Sequence, residues 1–357
     1  MTKPSNTSAP ALFIDHDCTF KVIRNLPIPE LVDGEVVVKV FYSGVNPADA
    51  KHGPYLGVRP STLGYDFCGS VVQAGQSSKF KTGDVVAGQT PTGIGKPLKY
   101  GAHQEYLACP EATVFKVPAN LPQTHAASLT TVLKTAADGL YNIFGFPLPG
   151  DKPHEGFKRG PLLIWGASTS VGLCMLQLAR ASGAFPIFVT ASLKRHELLE
   201  KLGATRCFDY GAPDVTSRIK ASVEEAGAGP IAYVADCAGS MGEDSSASQA
   251  ARCVGEGAVI LSVIPHQDKG YKMPLASANA PVKLQFGSGP VVTYPARPED
   301  FGRMWKALMW AVDNYGTEFS LPVVDVFRGS AEQALEEMRR VADQGSFGKL
   351  VLAQPMS

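Results

Sequence analysis

Between residue 11 and about 125 the apolar positions fall in short β-branched runs separated by turn residues: EVVVKVFYSGV at 35–45, CGSVVQAG at 68–75, GDVVAGQT at 83–90 and HQEYLACP at 103–110. Alternating or continuous runs of this length bounded by Gly, Pro and Asp predict strands, here a mainly antiparallel β domain. After Pro122 the spacing becomes helical from His125 to about Phe144, and FGFPLPGDKPHEGFKRG then reads as loop. From 161 onward strands and helices alternate. LLIW, a helix from Thr169 to Ser182, FPIFVTA, a helix from Lys194 to Leu202, TRCFDY, a helix near 214–226, IAYVADCAG and AVILSVI at 258–264 predict a parallel, doubly wound sheet. Past 300 the pattern gives a helix at 301–315, a strand in LPVVDVF, a helix at 330–344 and a closing strand KLVLA. The near-helical spacing of Trp305, Met309 and Trp310 predicts a core face there.

Composition narrows this picture. The 357 residues suit two domains. Thirty-three Lys and Arg balance thirty-three Asp and Glu, so no global field draws the chain to nucleic acid or an anionic membrane. Seven cysteines, with no C-x-x-C pair, argue against a disulfide framework or zinc ribbon and for reduced thiols in the cytoplasm. Residues 1–10 are polar and Pro/Ser-rich, which predicts a frayed lead-in, and the sequence shows neither a secretory leader nor an apolar run of membrane-spanning length.

The sharpest motif is PLLIWGASTSVGLCMLQLARASGA: an apolar strand ending at Trp165, a small-residue turn from Gly166 to Gly172, and an amphipathic helix. Glycines let such a turn approach a pyrophosphate, whose charge rests on the unpaired N–H groups of the helix start. Ser168 and Thr169 stand where a middle glycine is usual, so the string is an imperfect G-x-G-x-x-G; the surrounding strand–helix alternation supports it. The next strand ends not in an acid but in Ser192-Leu193-Lys194-Arg195. A hydroxyl and two cations suit a ribose 2′-phosphate, favouring NADPH over NADH, with a solvated helix start as the alternative.

Several motifs then coincide in order: Gly44-Val45-Asn46-Pro47-Ala48-Asp49, Leu63-Gly64-Tyr65-Asp66-Phe67-Cys68-Gly69, Gly83-Asp84-Val85-Val86, Gly101-Ala102-His103-Gln104-Glu105-Tyr106 and Gly166 to Gly172. From about 11 to 355 the chain resembles the medium-chain dehydrogenase/reductase superfamily, in its zinc-free, quinone-reductase-like branch. Within it, the G-A-S-T-S-V-G loop, C-F-D-Y at 207–210, QFGSGP at 285–290 and S-F-G-K-L-V at 346–351 are similar to fungal trans-acting enoyl reductases of polyketide synthases, including hybrid synthase–peptide synthetase systems. The resemblance implies an α/β chain with a GroES-like domain over 1–130, a Rossmann domain over 131–295 and a return to the first domain over 296–357.

It also implies functional residues. Tyr65 stands where zinc enzymes place a ligating histidine, Asn46 lies in the region of their first cysteine ligand, and 89–100 contains no cysteine, so no metal is expected. Cys68 is read as a small core residue. Without a metal, the implied reaction is conjugate reduction of a carrier-bound enoyl thioester. The resemblance puts Pro47, Ala48, Asp49, Ala50 and Lys51 beside the nicotinamide, with Lys51 as cationic donor or proton source and Asp49 and Asn46 fixing the loop; a surface role for Lys51, a turn role for Asp49 and protonation by water are the alternatives. Thr131 and Thr135 are expected to face nicotinamide or substrate; Ser168, Thr169, Ser170 and Val171 the pyrophosphate; Ser192, Leu193, Lys194, Arg195 and Tyr210 the adenosine end. Ser262 and Val263 follow the fifth strand on the cofactor side. Leu284, Gln285, Phe286 and Gly287 are expected in the acyl channel, and Ser346 and Phe347 over the cofactor. No histidine is assigned to catalysis. The implied partner is an acyl-carrier domain of a synthase, with Lys152, Lys158 and Arg159 as a basic patch or simply a solvated loop, and the expected state is a monomer. A quinone or enone reductase and a non-catalytic NADPH-binding protein are the competing readings.

Overall fold

A computed structural model describes residues 9–266, 268, 270–276 and 279–357. Of the lead-in expected over 1–10, residues 1–8 lie outside the described residues. The chain divides into two compact units.

The first unit, Met1–Thr131 with Ser277–Pro298 and Pro322–Ser357, is built on a seven-stranded sheet. Its order runs Val324–Phe327, Lys349–Ala353, Glu35–Gly44, Asp66–Ala74, Val85–Gln89, Val114–Lys116, with Tyr106–Pro110 also paired to Glu35–Gly44. Pairing is antiparallel except between Val324–Phe327 and Lys349–Ala353. The β-branched run at 36–40 buries Val36, Val38 and Val40 with Phe67, Val71, Val86, Leu107 and Val114. Burial of several Val and Leu side chains at about 1.5–3 kcal/mol each fixes the register of these strands. Cys68 lies in this sheet fully buried, and burial pushes its thiol up to about 12, as a structural cysteine requires.

Helix Pro47–Leu56 was legible only as a motif, because its hydrophobic periodicity is weak and Pro54 lies inside it. It forms because Asn46 enters extended, Pro47 presets the first helical φ, and the Asp49 carboxylate accepts the Asn46 backbone N–H at 2.7 Å. Gly57, at φ 70°, closes it. A hairpin of Val282–Gln285 with Val291–Tyr294 completes this unit, Val282 and Leu284 packing with Val58.

The second unit, Val132–Ala276 with Glu299–Leu321, carries six parallel strands in the order Arg206–Phe208, Ile187–Thr190, Leu162–Trp165, Tyr233–Asp236, Val259–Ser262, Tyr271–Lys272. The expected alternation is present, with helices Ser170–Ala181, His196–Leu202, Val215–Ala226 and Ser246–Ala251. The chain order of the units differs from a single return at 296. Residues 277–298 belong to the first unit through the hairpin, whereas Glu299–Leu321 rejoins the second, where the Gln177 side chain donates to Ser320 O and accepts from Ser320 N.

Two expectations need correction. The helix expected from His125 to Phe144 is three pieces, Gln123–Ala126, Thr130–Ala137 and a π-turn at Asp138–Ile143. Ser128 breaks the first by hydrogen-bonding the carbonyls of Thr124 and His125, competing with helix continuation. On helix Pro298–Asp313 the core face is Met304, Ala307, Leu308 and Ala311, while Trp305, Met309 and Trp310 are half-buried. Among the described residues no helix is long and apolar enough to cross a membrane.

Candidate functional site

The first unit concentrates buried ionisable groups around the start of helix Pro47–Leu56. Asp66, at the head of its strand, is fully buried; its Oδ2 accepts from Asn46 Nδ2 at 2.9 Å, and its Oδ1 accepts from the Thr131 backbone N–H at 2.8 Å and hydroxyl at 2.6 Å. Burial holds the Asp66 carboxyl above the usual carboxylate range, against the lowering pull of Lys349 and these hydrogen bonds. Lys349, itself buried, donates to Val45 O at 2.8 Å and Asn46 Oδ1 at 2.6 Å. One buried cation, reached from the last strand, thus locks the helix cap that the Asn46-Pro47 dipeptide begins.

His103 sits fully buried on the other side of Asp49, its Nε2 3.2 Å from Asp49 Oδ2 and its Nδ1 2.9 Å from Ser43 Oγ. Asp49 Oδ1 is buried without a hydrogen-bond partner. The adjoining cluster begins at Tyr65, whose hydroxyl lies 2.9 Å from His52 Nδ1 and accepts from Thr92 Oγ1 at 3.1 Å. Burial raises the Tyr65 phenol, and it lowers His52 to about 4, so this imidazole is neutral at pH 7. The ammonium of buried Lys96 lies 4.8 Å from the Tyr65 ring centroid, and burial lowers its pKa to about 8. Among the described residues no group of three or more His, Cys, Asp and Glu side chains is placed to hold a metal ion.

The second unit supplies a different chemistry. The turn after Leu162–Trp165 lies where the sheet order reverses, since Ile187–Thr190 and Tyr233–Asp236 flank that strand on its two sides. Gly166, at φ +78°, donates its N–H to Thr190 Oγ1 at 3.0 Å. Thr169 caps helix Ser170–Ala181 by accepting the Gly172 N–H at 3.1 Å, and its own hydroxyl donates to Cys237 O. A Cβ on Gly172 would sit 2.4 Å from Gly166 O. The turn closes tightly and presents a helix N-terminus at the crevice, which fits a dinucleotide pyrophosphate.

The expected residues divide between the units. Asn46, Pro47, Ala48, Asp49, Ala50 and Lys51 form the cap and first turns of one helix, with Lys51 half-buried. Thr131 is engaged with Asp66. Leu284 is buried against Val58 and Val282, leaving Gln285 and Phe286 half-buried and Gly287 exposed at the hairpin end. Ser346 is exposed and Phe347 half-buried just before the last strand. These belong to the first unit. In the second, Ser168, Thr169, Ser170 and Val171 line the turn and helix start, and Thr135 is half-buried on helix Thr130–Ala137. Leu193, Lys194 and Tyr210 are exposed, with Ser192 and Arg195 partly so. Ser262 is fully buried, its hydroxyl donating to Asp236 Oδ2 at 2.8 Å, which makes it a strand-end brace; Val263 is half-buried. Lys152, Lys158 and Arg159 lie in the loop 151–160, with Phe157 stacked on Tyr233.

The sequence alone assigns no histidine, Lys96 or Lys349 to the site and reads Tyr65 only as the absence of a metal ligand; the structure gathers His52, Tyr65 and Lys96 in one cluster and sets His103 and Lys349 beside the Asn46–Asp49 cap. His103 and Lys349 do fall within the G-A-H-Q-E-Y and S-F-G-K-L-V segments, which were the available signal.

Residues 32–119 match the family model for the alcohol dehydrogenase GroES-like domain, and 170–278 that of zinc-binding dehydrogenases. The chain is 35% identical over 235 residues to the trans-enoyl reductase himH of Aspergillus japonicus, covering 65% of this chain and 66% of that protein, just under two thirds. It is 31% identical over 274 residues to the trans-enoyl reductase TwmE of Talaromyces wortmannii, covering 73% of each. A quinone oxidoreductase of Pseudomonas syringae pv. Tomato DC3000 shares the fold, with TM-score 0.70 and 19% identity over 97% of this chain and 99% of that one.

Proposed function

Given that the chain belongs to the medium-chain dehydrogenase/reductase superfamily, we propose that it is an NADPH-dependent enoyl reductase acting in trans on carrier-bound polyketide enoyl thioesters. The observation that carries this reading is the chemistry of the first unit's site. Where zinc dehydrogenases need cysteine and histidine ligands, Asn46 and Tyr65 are held in hydrogen bonds to Asp66, Lys349, His52 and Thr92. That set suits a reaction in which charge develops on a substrate oxygen and is met by hydrogen bonds. The similar fungal proteins are named trans-enoyl reductases, which supports reduction of an enoyl group.

Bound NADPH would supply the hydride for the β-carbon of the enoyl group. Ser168 to Val171 and the N–H groups at the start of helix Ser170–Ala181 would hold its pyrophosphate. Ser192, Lys194 and Arg195 would receive the 2′-phosphate, because residues 191–196 directly after strand Ile187–Thr190 include no carboxylate to accept a free ribose hydroxyl. Lys349 and Asp49 would keep the Asn46 cap rigid while substrate binds. The partner is an acyl-carrier domain, and the seven free thiols favour the reducing cytoplasm.

The test is NADPH consumption with enoyl thioesters on pantetheine and CoA, beside a simple quinone and with NADH as control. Turnover of thioesters with NADPH and much less with NADH is expected. Quinone turnover with inert thioesters would move the protein to the quinone-reductase class, and NADPH binding with no turnover of any substrate would favour a non-catalytic role.

A further inference from the structure

Lys96 is more than nine-tenths buried, in the loop between strand Val85–Gln89 and the turn at Leu98–Tyr100. Among the described residues its ammonium makes no ion pair and donates no side-chain hydrogen bond; its contact is the face of Tyr65 at 4.8 Å. An aromatic face steadies a cation without consuming its N–H groups, so all three donors remain for something else. Burying an ammonium without a hydrogen-bonded counter-ion is costly, which makes such a group a candidate for a functional site. Tyr65 is fixed between Thr92 and His52, and the opposing charge that acts on Lys96, without forming an ion pair with it, is Asp49. Lys51, by contrast, is a half-buried lysine on a helix.

Resting on the enoyl-reductase reading, we propose that Lys96 is the electrophilic residue of the site: its ammonium receives the thioester carbonyl oxygen as negative charge gathers there, the task a metal ion performs in metal-dependent relatives. Hydride adds to the β-carbon, the C=C electron pair moves through the α-carbon to that oxygen, and the cofactor leaves oxidised. The pair then returns to the α-carbon to take a proton from water, leaving the saturated thioester. Lys96 keeps its proton throughout and acts by charge and hydrogen bonding. Tyr65 is a positioning residue that sets where the ammonium stands.

This assignment dictates a pH profile. The groups facing Lys96 are Asp49 and His52 from helix Pro47–Leu56 and Tyr65 ahead of strand Asp66–Ala74, while the hairpin strand packed on its loop carries exposed Lys283. Its pKa, lowered to about 8, means that the ammonium is present below that pH and lost above it, so kcat/KM for a crotonyl thioester falls on the alkaline side with a midpoint near 8.

Three variants and one spectroscopic titration test it. Lys96→Gln is expected to lower kcat/KM about a hundredfold while NADPH affinity, read by fluorescence, stays within about threefold. Lys96→Arg should keep activity within about tenfold of wild type and lose the alkaline limb, since guanidinium stays charged. Lys51→Gln should leave that limb in place. In lysine-labelled protein, the side-chain NMR titration assigned to Lys96 should shift to higher pH when crotonyl-pantetheine and NADP+ are added together, a readout independent of turnover and of whether Lys96→Gln folds. An active Lys96→Gln enzyme, an alkaline limb retained by Lys96→Arg, or an unmoved titration overturns the assignment. A wild-type protein inert to every enoyl thioester overturns the functional reading itself, which is a different result.

Discussion

His52 shows how strongly burial can set the state of a single side chain. Its pKa falls from 6.5 to about 4 chiefly through burial, with Asp49 opposing and Lys96 adding to the shift. Between those values the unfolded chain binds a proton that the folded one refuses, so stability is full above about 6.5 and is lost progressively as pH falls toward 4. Urea midpoints measured across this window should decline with pH in the wild type, and His52→Gln should decline less; parallel curves would show that the imidazole is not held neutral. The same residues explain what the sequence could not convey. Asn46, Pro47 and Asp49 sit in a cap motif with a fixed spacing and were legible. Lys96 stands alone in a Gly/Pro loop, and His52 and Tyr65 are thirteen positions apart; only the fold brings them to one cluster.

At the scale of elements, strands with continuous apolar runs were legible because both their faces are largely buried, as in Glu35–Gly44 and Leu162–Trp165. Helix Pro47–Leu56 was hidden by its weak periodicity, and the break at Ser128 by a side-chain hydrogen bond that no periodicity reveals. The phosphate-turn candidate offers a direct check. Gly172→Ala would force a methyl group to within 2.4 Å of Gly166 O and 2.7 Å of Ala167 Cα, both backbone atoms. It should open the turn, lower the melting temperature and weaken NADPH binding at least about tenfold by fluorescence titration. Gly302→Ala, inside helix Pro298–Asp313 with nothing within 4 Å of the added carbon, should leave binding unchanged and stabilise by about 0.5–1 kcal/mol. Equal binding by both variants would remove the pyrophosphate from this turn.

For the whole molecule, both fold types and their order along the chain were readable, but the repeated exchange of chain between units was not. No local pattern distinguishes a hairpin of the first unit at 282–294 from another piece of the parallel-sheet unit. Both units are therefore discontinuous in sequence. Deleting residues 322–357 removes strands Val324–Phe327 and Lys349–Ala353, helix Ala331–Gln344 and the Lys349 ammonium, all from the first unit. Such a truncation should abolish the first unit's cooperative urea transition and leave that of Val132–Ala276 with Glu299–Leu321. Loss of both transitions together would show that the second unit needs the first.

The late position of Lys349 carries a further meaning for how the protein is made. Strand Lys349–Ala353 pairs with Glu35–Gly44, so a segment produced early on the ribosome must wait for one produced more than three hundred codons later. Until then Asp66 has no ammonium against it and the first sheet keeps an open edge. The buried lysine thus ties the site to order of synthesis: a nascent chain that has reached residue 321 already carries every strand of the second unit, while the polar cluster of the first still awaits Lys349.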